Sequence, residues 1–205
     1  MIESIFGIIP ARGGSKRLPG KNLMQFGGMS LLERTIRQAK KALPVSLVSS
    51  ENSEIIREAN RCGISALLRP LRLAADDTTM EAVMDHVLNV YPVFDWFCLL
   101  QVTSPLRTLE DIQACLKIAE DTQRPVVSTC FGKRNGAVYI GKASQLPTLF
   151  FKDCVNYEMP PERSVDIDTI EDFTRAEMLL NGSKIRTAST GSVLPEMRDQ
   201  QPAPQ

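Results

Sequence analysis

The sequence predicts an α/β fold in which a mostly parallel sheet carries helices on both faces. Three observations point there. Short apolar runs of strand character alternate with longer runs at helical spacing from Ile5 to Leu180. The first apolar run feeds directly into a glycine-rich basic loop, the usual place of a nucleotide in an open α/β sheet. A later apolar run, Phe94 to Leu100, ends abruptly in polar residues, as strands do where they line a ligand crevice.

Taken in order, Ile5 to Ile9 reads as a buried strand. Leu31 to Lys41 has helical spacing, with Ser30 as N-cap and Glu33 completing a capping box. Val45 to Ser49 reads as a strand, Ser53 to Cys62 as a helix stopped by Gly63, and Ile64 to Leu68 as a third strand. Thr79 to Val90 is a helix with Ala82, Val83, Val87 and Leu88 on its apolar side, and Phe94 to Leu100 is a strand. Thr108 caps a helix to about Glu120, and Val126 to Thr129, Gly136 to Ile140 and Thr148 to Phe151 complete the strands. Thr169 to Leu180 is an amphipathic helix, with Gly182 just past its end. The remainder, 182–205, finishes Q-Q-P-A-P-Q and is too polar to offset the entropy of ordering, so it is expected to be disordered beyond a domain spanning 1–181.

Composition narrows the function. The chain has 205 residues, 43% hydrophobic and 23% charged, which is ordinary globular usage for one domain. Its net charge of zero gives no support to a nucleic-acid or membrane-surface role. No apolar run approaches the ~20 residues that span a bilayer. The N-terminus lacks the basic region of a signal peptide. Cys62, Cys98, Cys115, Cys130 and Cys154 are odd in number and widely spaced, which predicts reduced thiols and a cytoplasmic location. With His86 the only histidine, a zinc site is not expected.

The densest signal is I-I-P-A-R-G-G-S-K-R-L-P-G-K-N, residues 8–22. Arg12, Lys16, Arg17 and Lys21 fall within ten residues, and no acid occurs between Glu3 and Glu33. Glycines let backbone N–H groups approach a ligand, and fixed cations suit a polyphosphate. It is not a Walker loop, because five residues separate Gly14 from Gly20 and Asn22 stands where a Ser or Thr belongs. The dinucleotide fingerprint G-x-G-x-x-G is absent as well.

Two further motifs carry chemistry. In L-L-Q-V-T-S-P-L-R-T, Gln101, Thr103 and Ser104 stand at the end of a strand, where a glutamine presents both donor and acceptor. In S-V-D-I-D-T, Asp166 and Asp168 are two apart, so an extended backbone puts both on one side, as a hard divalent cation requires. A polar strand end and an acidic helix start are the plainer readings of these two segments. Arg69, the A-D-D-T-T cluster from Ala75 to Thr79, and Tyr139 in N-G-A-V-Y-I are fainter; alone they read as a surface arginine, a helix cap and strand packing.

Together, and in this order, the four motifs resemble those of the acylneuraminate cytidylyltransferases, the CMP-sialic acid synthetases and their legionaminate and pseudaminate counterparts. The resemblance covers about Ile5 to Leu180. It implies a Rossmann-like nucleotidyltransferase fold and a reaction in which CTP and a 2-keto sugar acid give a CMP-sugar and pyrophosphate. It implies nucleotide-binding roles for Ala11, Arg12, Gly13, Ser15, Lys16, Lys21, Asn22, Arg69 and Thr78. Gln101, Thr103, Tyr139, Phe150 and Phe151 are implied on the sugar side, and Asp166 and Asp168 as a Mg2+ pair. Arg12, Lys21 and Asp168 are the implied catalytic residues, with Asp168 or a metal-bound hydroxide as proton acceptor. The implied partners are CTP and a sugar acid.

The chain departs from the family at one place. Where relatives carry a long segment used for the dimer and the sugar carboxylate, only Thr129 to Arg134 is present, which predicts a turn, the loss of most of the small subdomain and a weakened homodimer. Lys133 and Arg134 are then the candidates for a carboxylate-binding cation. A non-catalytic CTP-binding relative, or a nucleotidyltransferase of the same fold acting on another sugar, remains the alternative.

Overall fold

The computed structural model describes residues 4–146 and 153–189. Its elements are β1 (Ile5–Pro10), β2 (Gln25–Phe26), β3 (Met29–Ser30), α1 (Leu31–Ala42), β4 (Val45–Ser50), α2 (Ser53–Arg61), β5 (Ser65–Leu68), α3 (Met80–Val90), β6 (Trp96–Leu100), α4 (Leu109–Thr122), β7 (Val126–Cys130), β8 (Lys133–Lys142), β9 (Val155–Glu158) and α5 (Ile170–Ser189). Seven strands form one sheet in the order β5-β4-β1-β6-β8-β7-β9. All neighbours are parallel except those of β8, which runs antiparallel to both β6 and β7. The mostly parallel sheet is therefore present, with one reversed strand inside it.

Alternation along the strands divides the core. Ile5, Ile9, Val48, Cys98 and Leu100 pack on the side of α1, α2, α4 and α5. Phe6, Ile8, Leu47, Phe97 and Leu99 meet α3 through Met84, Val87 and Leu88. Helices cover both faces, but unevenly. Among the described residues no helix is long and apolar enough to cross a membrane. All five cysteines are free.

Several expectations are corrected. Ser30 Oγ accepts the Glu33 N–H at 3.0 Å, but the Glu33 carboxylate turns to Arg37 and Arg61, so only half the capping box forms. The reciprocal box belongs to Thr108 and Asp111. The last helix does not stop before Gly182 but runs to Ser189, because a glycine weakens a helix by only about 1 kcal/mol and does not end it unless the chain turns left-handed there. Part of the tail expected to be disordered is thus helical, and 190–205 lie outside the described residues. So does the whole of the strand expected at Thr148 to Phe151.

The span from Thr129 to Arg134 is a two-residue hairpin turn between β7 and β8. Phe131 and Gly132 have φ of 51° and 69°, the left-handed pair that matches the twist of a tight hairpin. Glycine takes this geometry freely; phenylalanine does not, and its ring is 80% exposed, so packing returns little. Phe131→Asn should therefore stabilise the fold by about 0.5–1 kcal/mol, read as a higher urea midpoint at unchanged slope.

Candidate active site

The basic loop leaves the carboxyl end of β1 and is pinned at its base. The Ala11 N–H donates to Ser49 O at 3.0 Å, and the buried Asn22 donates through Nδ2 to Arg12 O at 2.9 Å. The Gly13 N–H donates to Glu51 Oε1 at 2.6 Å. A Cβ on Gly13 would stand 2.4 Å from Asn52 Nδ2, so only glycine fits this approach. Glu51 Oε2 in turn accepts from Arg69 Nη2 at 2.8 Å and Nε at 3.1 Å. Arg69 is no surface arginine: it is 4% exposed. One largely shielded carboxylate thus joins the loop to the end of β5.

The loop's cations face two other carboxylates. Arg12 Nη1 and Lys16 Nζ reach Asp76 at 2.9 and 2.5 Å, and Lys16 first, then Arg12, holds that carboxyl below its ordinary pKa. Arg17 Nη2 and Lys21 Nζ reach Asp168 at 2.7 and 2.9 Å. Lys21 also donates to Ile167 O at 2.8 Å. Burial pushes the Asp168 carboxyl up, but Lys21 and Arg17 outweigh it and the net shift is downward.

The segment carrying Asp166 and Asp168 alternates in burial: Val165 and Ile167 face the core, while Asp166 is exposed and Asp168 partly so. Ile167 is wholly buried between them, and its N–H donates to Thr103 O at 2.7 Å, stitching the pair to the end of β6. Upstream, Arg163 grips the buried Asp111 at 2.8 and 3.0 Å, with the Tyr157 hydroxyl donating to the same carboxylate. Downstream, the Asp172 carboxylate accepts the N–H groups of Asp168 and Thr169, starting α5. Asp166 reaches solvent, yet the flanking protein desolvates its carboxyl enough to raise the pKa; the Thr103 hydrogen bond opposes this, and the charge of Asp168 adds to it. Two adjacent carboxylates offering hard oxygen donors fit a divalent cation such as Mg2+ or Mn2+. By contrast, Glu33 and Glu58 on α1 and α2 already hold Arg61.

Two clefts result. The first, about 290 Å³, is lined by Arg12, Lys21, Asn22, Arg69, Asp76, Thr78, Gln101, Thr103, Asp166 and Asp168, among others. Ala11, Gly13, Ser15 and Lys16 sit on the same loop but outside this lining. Thr78 is held by its hydroxyl, which donates to Arg72 O at 2.9 Å. The second, about 430 Å³, is lined by Gln101, Cys130, Lys133, Arg134, Asn135, Gly136, Tyr139, Ser164 and Asp166. Gln101 and Asp166 belong to both. Tyr139 is nearly buried, which raises its pKa. Phe150 and Phe151 lie outside the described residues.

Sequence reasoning missed Glu51 and Asp76 as organising groups. The S-S-E-N run that ends β4 is the same kind of polar strand terminus as Gln101, and could have exposed Glu51.

A cationic loop facing a carboxylate pair at the carboxyl end of a mostly parallel sheet is the arrangement of a Rossmann-like nucleotidyltransferase. A model of the family described as cytidylyltransferase matches residues 6–184, and the chain belongs to that family. The N-acylneuraminate cytidylyltransferase of Streptococcus agalactiae serotype III (strain NEM316) is 30% identical over 212 residues, covering 81% of this chain and 51% of that protein. The CMP-N,N'-diacetyllegionaminic acid synthase of Legionella pneumophila subsp. pneumophila (strain Philadelphia 1) is 37% identical, covering 60% of this chain and 56% of that protein. The pseudaminic acid cytidylyltransferase of Campylobacter jejuni subsp. jejuni serotype O:2 is 28% identical over 65% of each. The chain spans about half the length of the first of these relatives. Among solved structures, the CMP:2-keto-3-deoxy-manno-octonic acid synthetase complexed with CTP superposes with a TM-score of 0.69 at 15% identity, covering 88% of this chain and 100% of that one. Rv0371c of Mycobacterium tuberculosis H37Rv, solved in complex with manganese, has a TM-score of 0.62 at 13% identity, covering 85% and 98%. At these identities the two structures establish the fold.

Because Glu51 is the sole described ion-pair partner of the buried Arg69, Glu51→Ala should cost about 3 kcal/mol of stability. Chemical denaturation measures this, and a loss below about 1 kcal/mol would mean that the pair does not organise the loop base.

Proposed function

We propose that the chain transfers CMP from CTP to a 2-keto sugar acid of the sialic acid class and releases pyrophosphate. The observation that carries this reading is the junction of the two clefts: a phosphate-suited, carboxylate-bearing cleft opens at Gln101 and Asp166 into a second one that presents two cations, Lys133 and Arg134. The names of the relatives supply the class of acceptor.

The anomeric hydroxyl oxygen of the acid forms a bond to the α-phosphorus. The bond from that phosphorus to the oxygen bridging the β-phosphate breaks, and its electron pair leaves with pyrophosphate. Arg12 and Lys21 stabilise the departing charge once they exchange Asp76 and Asp168 for phosphate oxygens, with Lys16 assisting from the rim. Arg69, Asn22 and Thr78 border the base and ribose. Mg2+ held by Asp166 and Asp168 would offset the negative charge that gathers on the phosphates. The hydroxyl proton passes to a carboxylate. Asp168 faces only the nucleotide cleft and is clamped by two cations, whereas Asp166 lines both clefts. The proton-accepting role expected at Asp168 is therefore reassigned to Asp166. Lys133 and Arg134 pair with the acid's carboxylate, and Tyr139 packs beside the sugar.

The two-residue turn at Phe131 and Gly132 favours one other reading, a CTP-binding relative without catalysis. Pyrophosphate release from CTP and Mg2+ across a panel of nonulosonic acids separates the two. Release with at least one acid is expected, and Asp166→Asn or Asp168→Asn should lower it by roughly 10²-fold or more. CTP binding with no release from any acid would overturn the enzyme reading. Lys133→Ala and Arg134→Ala should each raise the KM of the acid by about tenfold, the worth of one charged hydrogen bond, with the KM of CTP unchanged. An unaltered acid KM in both would remove them from the acceptor site.

A further inference from the structure

Arg107 is 1% exposed and is the largest fully buried side chain among the described residues. No described carboxylate lies within ion-pair distance of it. Instead Nη1 donates to Gln101 O at 3.1 Å and Ala137 O at 2.6 Å, while Nη2 and Nε donate to Gln38 Oε1 at 2.9 and 3.3 Å. Gln38 Nε2 donates back to Arg107 O. Burial lowers the guanidinium pKa to about 10, which still leaves it charged at neutral pH. A buried cation whose hydrogen-bond partners are all neutral is costly, even with the Asp111 carboxylate acting on it from a distance, and an apolar side chain of similar size would fill the same space for less.

The position of the two strand carbonyls explains what the charge does. The β6–β8 ladder pairs Leu100 with Val138 and ends there. Gln101 and Ala137 would be the next pair, and Arg107 Nη1 bridges their carbonyls where the ladder stops. On the opposite side Gln101 lies against the backbone of Gly136, whose φ is 77°: a Cβ there would stand 2.7 Å from Gln101 Oε1. Gln101 is therefore gripped from behind through its carbonyl and bounded in front by a glycine, and it forms the wall shared by both clefts.

We infer that Arg107 is a positioning residue for the acceptor side of the reaction, holding Gln101 in register between nucleotide and acid. The inference rests on the function proposed above. Its test uses Arg107→Lys, which keeps the charge but loses the fork, and Gln38→Ala, which removes the amide that orients the guanidinium from α1, outside both clefts. Each folded variant should raise the KM of the acid by about fivefold or more, with the CTP dissociation constant by calorimetry unchanged. Independently of turnover, the Gln101 side-chain amide resonance, assigned by its loss in Gln101→Leu, should shift and broaden in both variants. An unmoved Gln101 resonance, or CTP and acid constants rising together, would overturn the inference. If Arg107→Lys does not fold, Gln38→Ala decides. If the wild-type protein releases no pyrophosphate with any acid, the proposed function fails while the resonance still decides the positioning.

Discussion

Four cations on one short loop repel one another, and the site is arranged around that repulsion. The loop after β1 is bracketed by Asp76 on one side and by Asp168, far along the chain, on the other, each taking two of the cations. These ion pairs set the shape of the cleft more than they stabilise the fold. Arg12, Lys16 and Arg17 are at least one-third exposed, where a pair is worth only ~0–1 kcal/mol. Such bonds break easily. In the function proposed above, a polyphosphate would outcompete a single carboxylate for Arg12 and Lys16, and a divalent cation on Asp168 would release Arg17 and Lys21 toward the same phosphates. The ligand-free protein thus keeps the loop cations and the carboxylates that face them satisfied by pairing them with each other.

Beneath this exchangeable layer lies a rigid one. Glu51 with Arg69 and Arg107 with its carbonyls are buried or nearly so, and Asp111 is wholly buried beneath the half-exposed Arg163. Each joins segments distant in sequence at the carboxyl end of the sheet. Breaking such contacts leaves an uncompensated buried charge and is costly. The division makes physical sense for a site that must trade partners on its surface without losing the geometry behind it.

Much of the sheet was legible because its inner strands are buried on both faces and read as unbroken apolar runs, as Ile5–Pro10 and Trp96–Leu100 do. Helix starts were legible for the same local reason: Ser30, Thr79 and Thr108 each cap through a side-chain oxygen. What escaped was non-local or short. Val155–Glu158 is an edge strand with alternate residues in solvent, so its sequence V-N-Y-E carries little apolar signal. The β2–β3 hairpin has only two residues per strand, although Gly27 and Gly28, both at positive φ, mark its turn. The reversal of β8 depends on a turn too short to cross the sheet, and direction cannot be read from composition. Within the site, the D-I-D spacing and the loop cations stood out in sequence. Asp76 and Glu51 did not, because their importance lies in what they face across the fold.

The reversal of β8 also explains how the second cleft can be built without an inserted subdomain. A parallel strand in this position would need a crossover of a dozen residues or more, and its side chains would start from the far end of the sheet. An antiparallel strand entered through a two-residue turn instead begins at the same end as the nucleotide loop. Its first residues, Lys133 to Gly136, therefore lie beside Gln101 and Asp166 at once. The bulge near Ser128 reinforces this placement. Ser128 Oγ accepts the Val138 N–H at 2.8 Å and donates to Asn135 Oδ1 at 2.6 Å, fixing the start of the strand from within. Cations carried on a strand anchored in this way are held more firmly than cations on a long loop, since less chain entropy opposes their ordering. The short hairpin is thus a complete alternative way of bringing positive charge to the second cleft, and the burden of shaping that cleft passes from an added segment to the end of β6 and the residues that hold it.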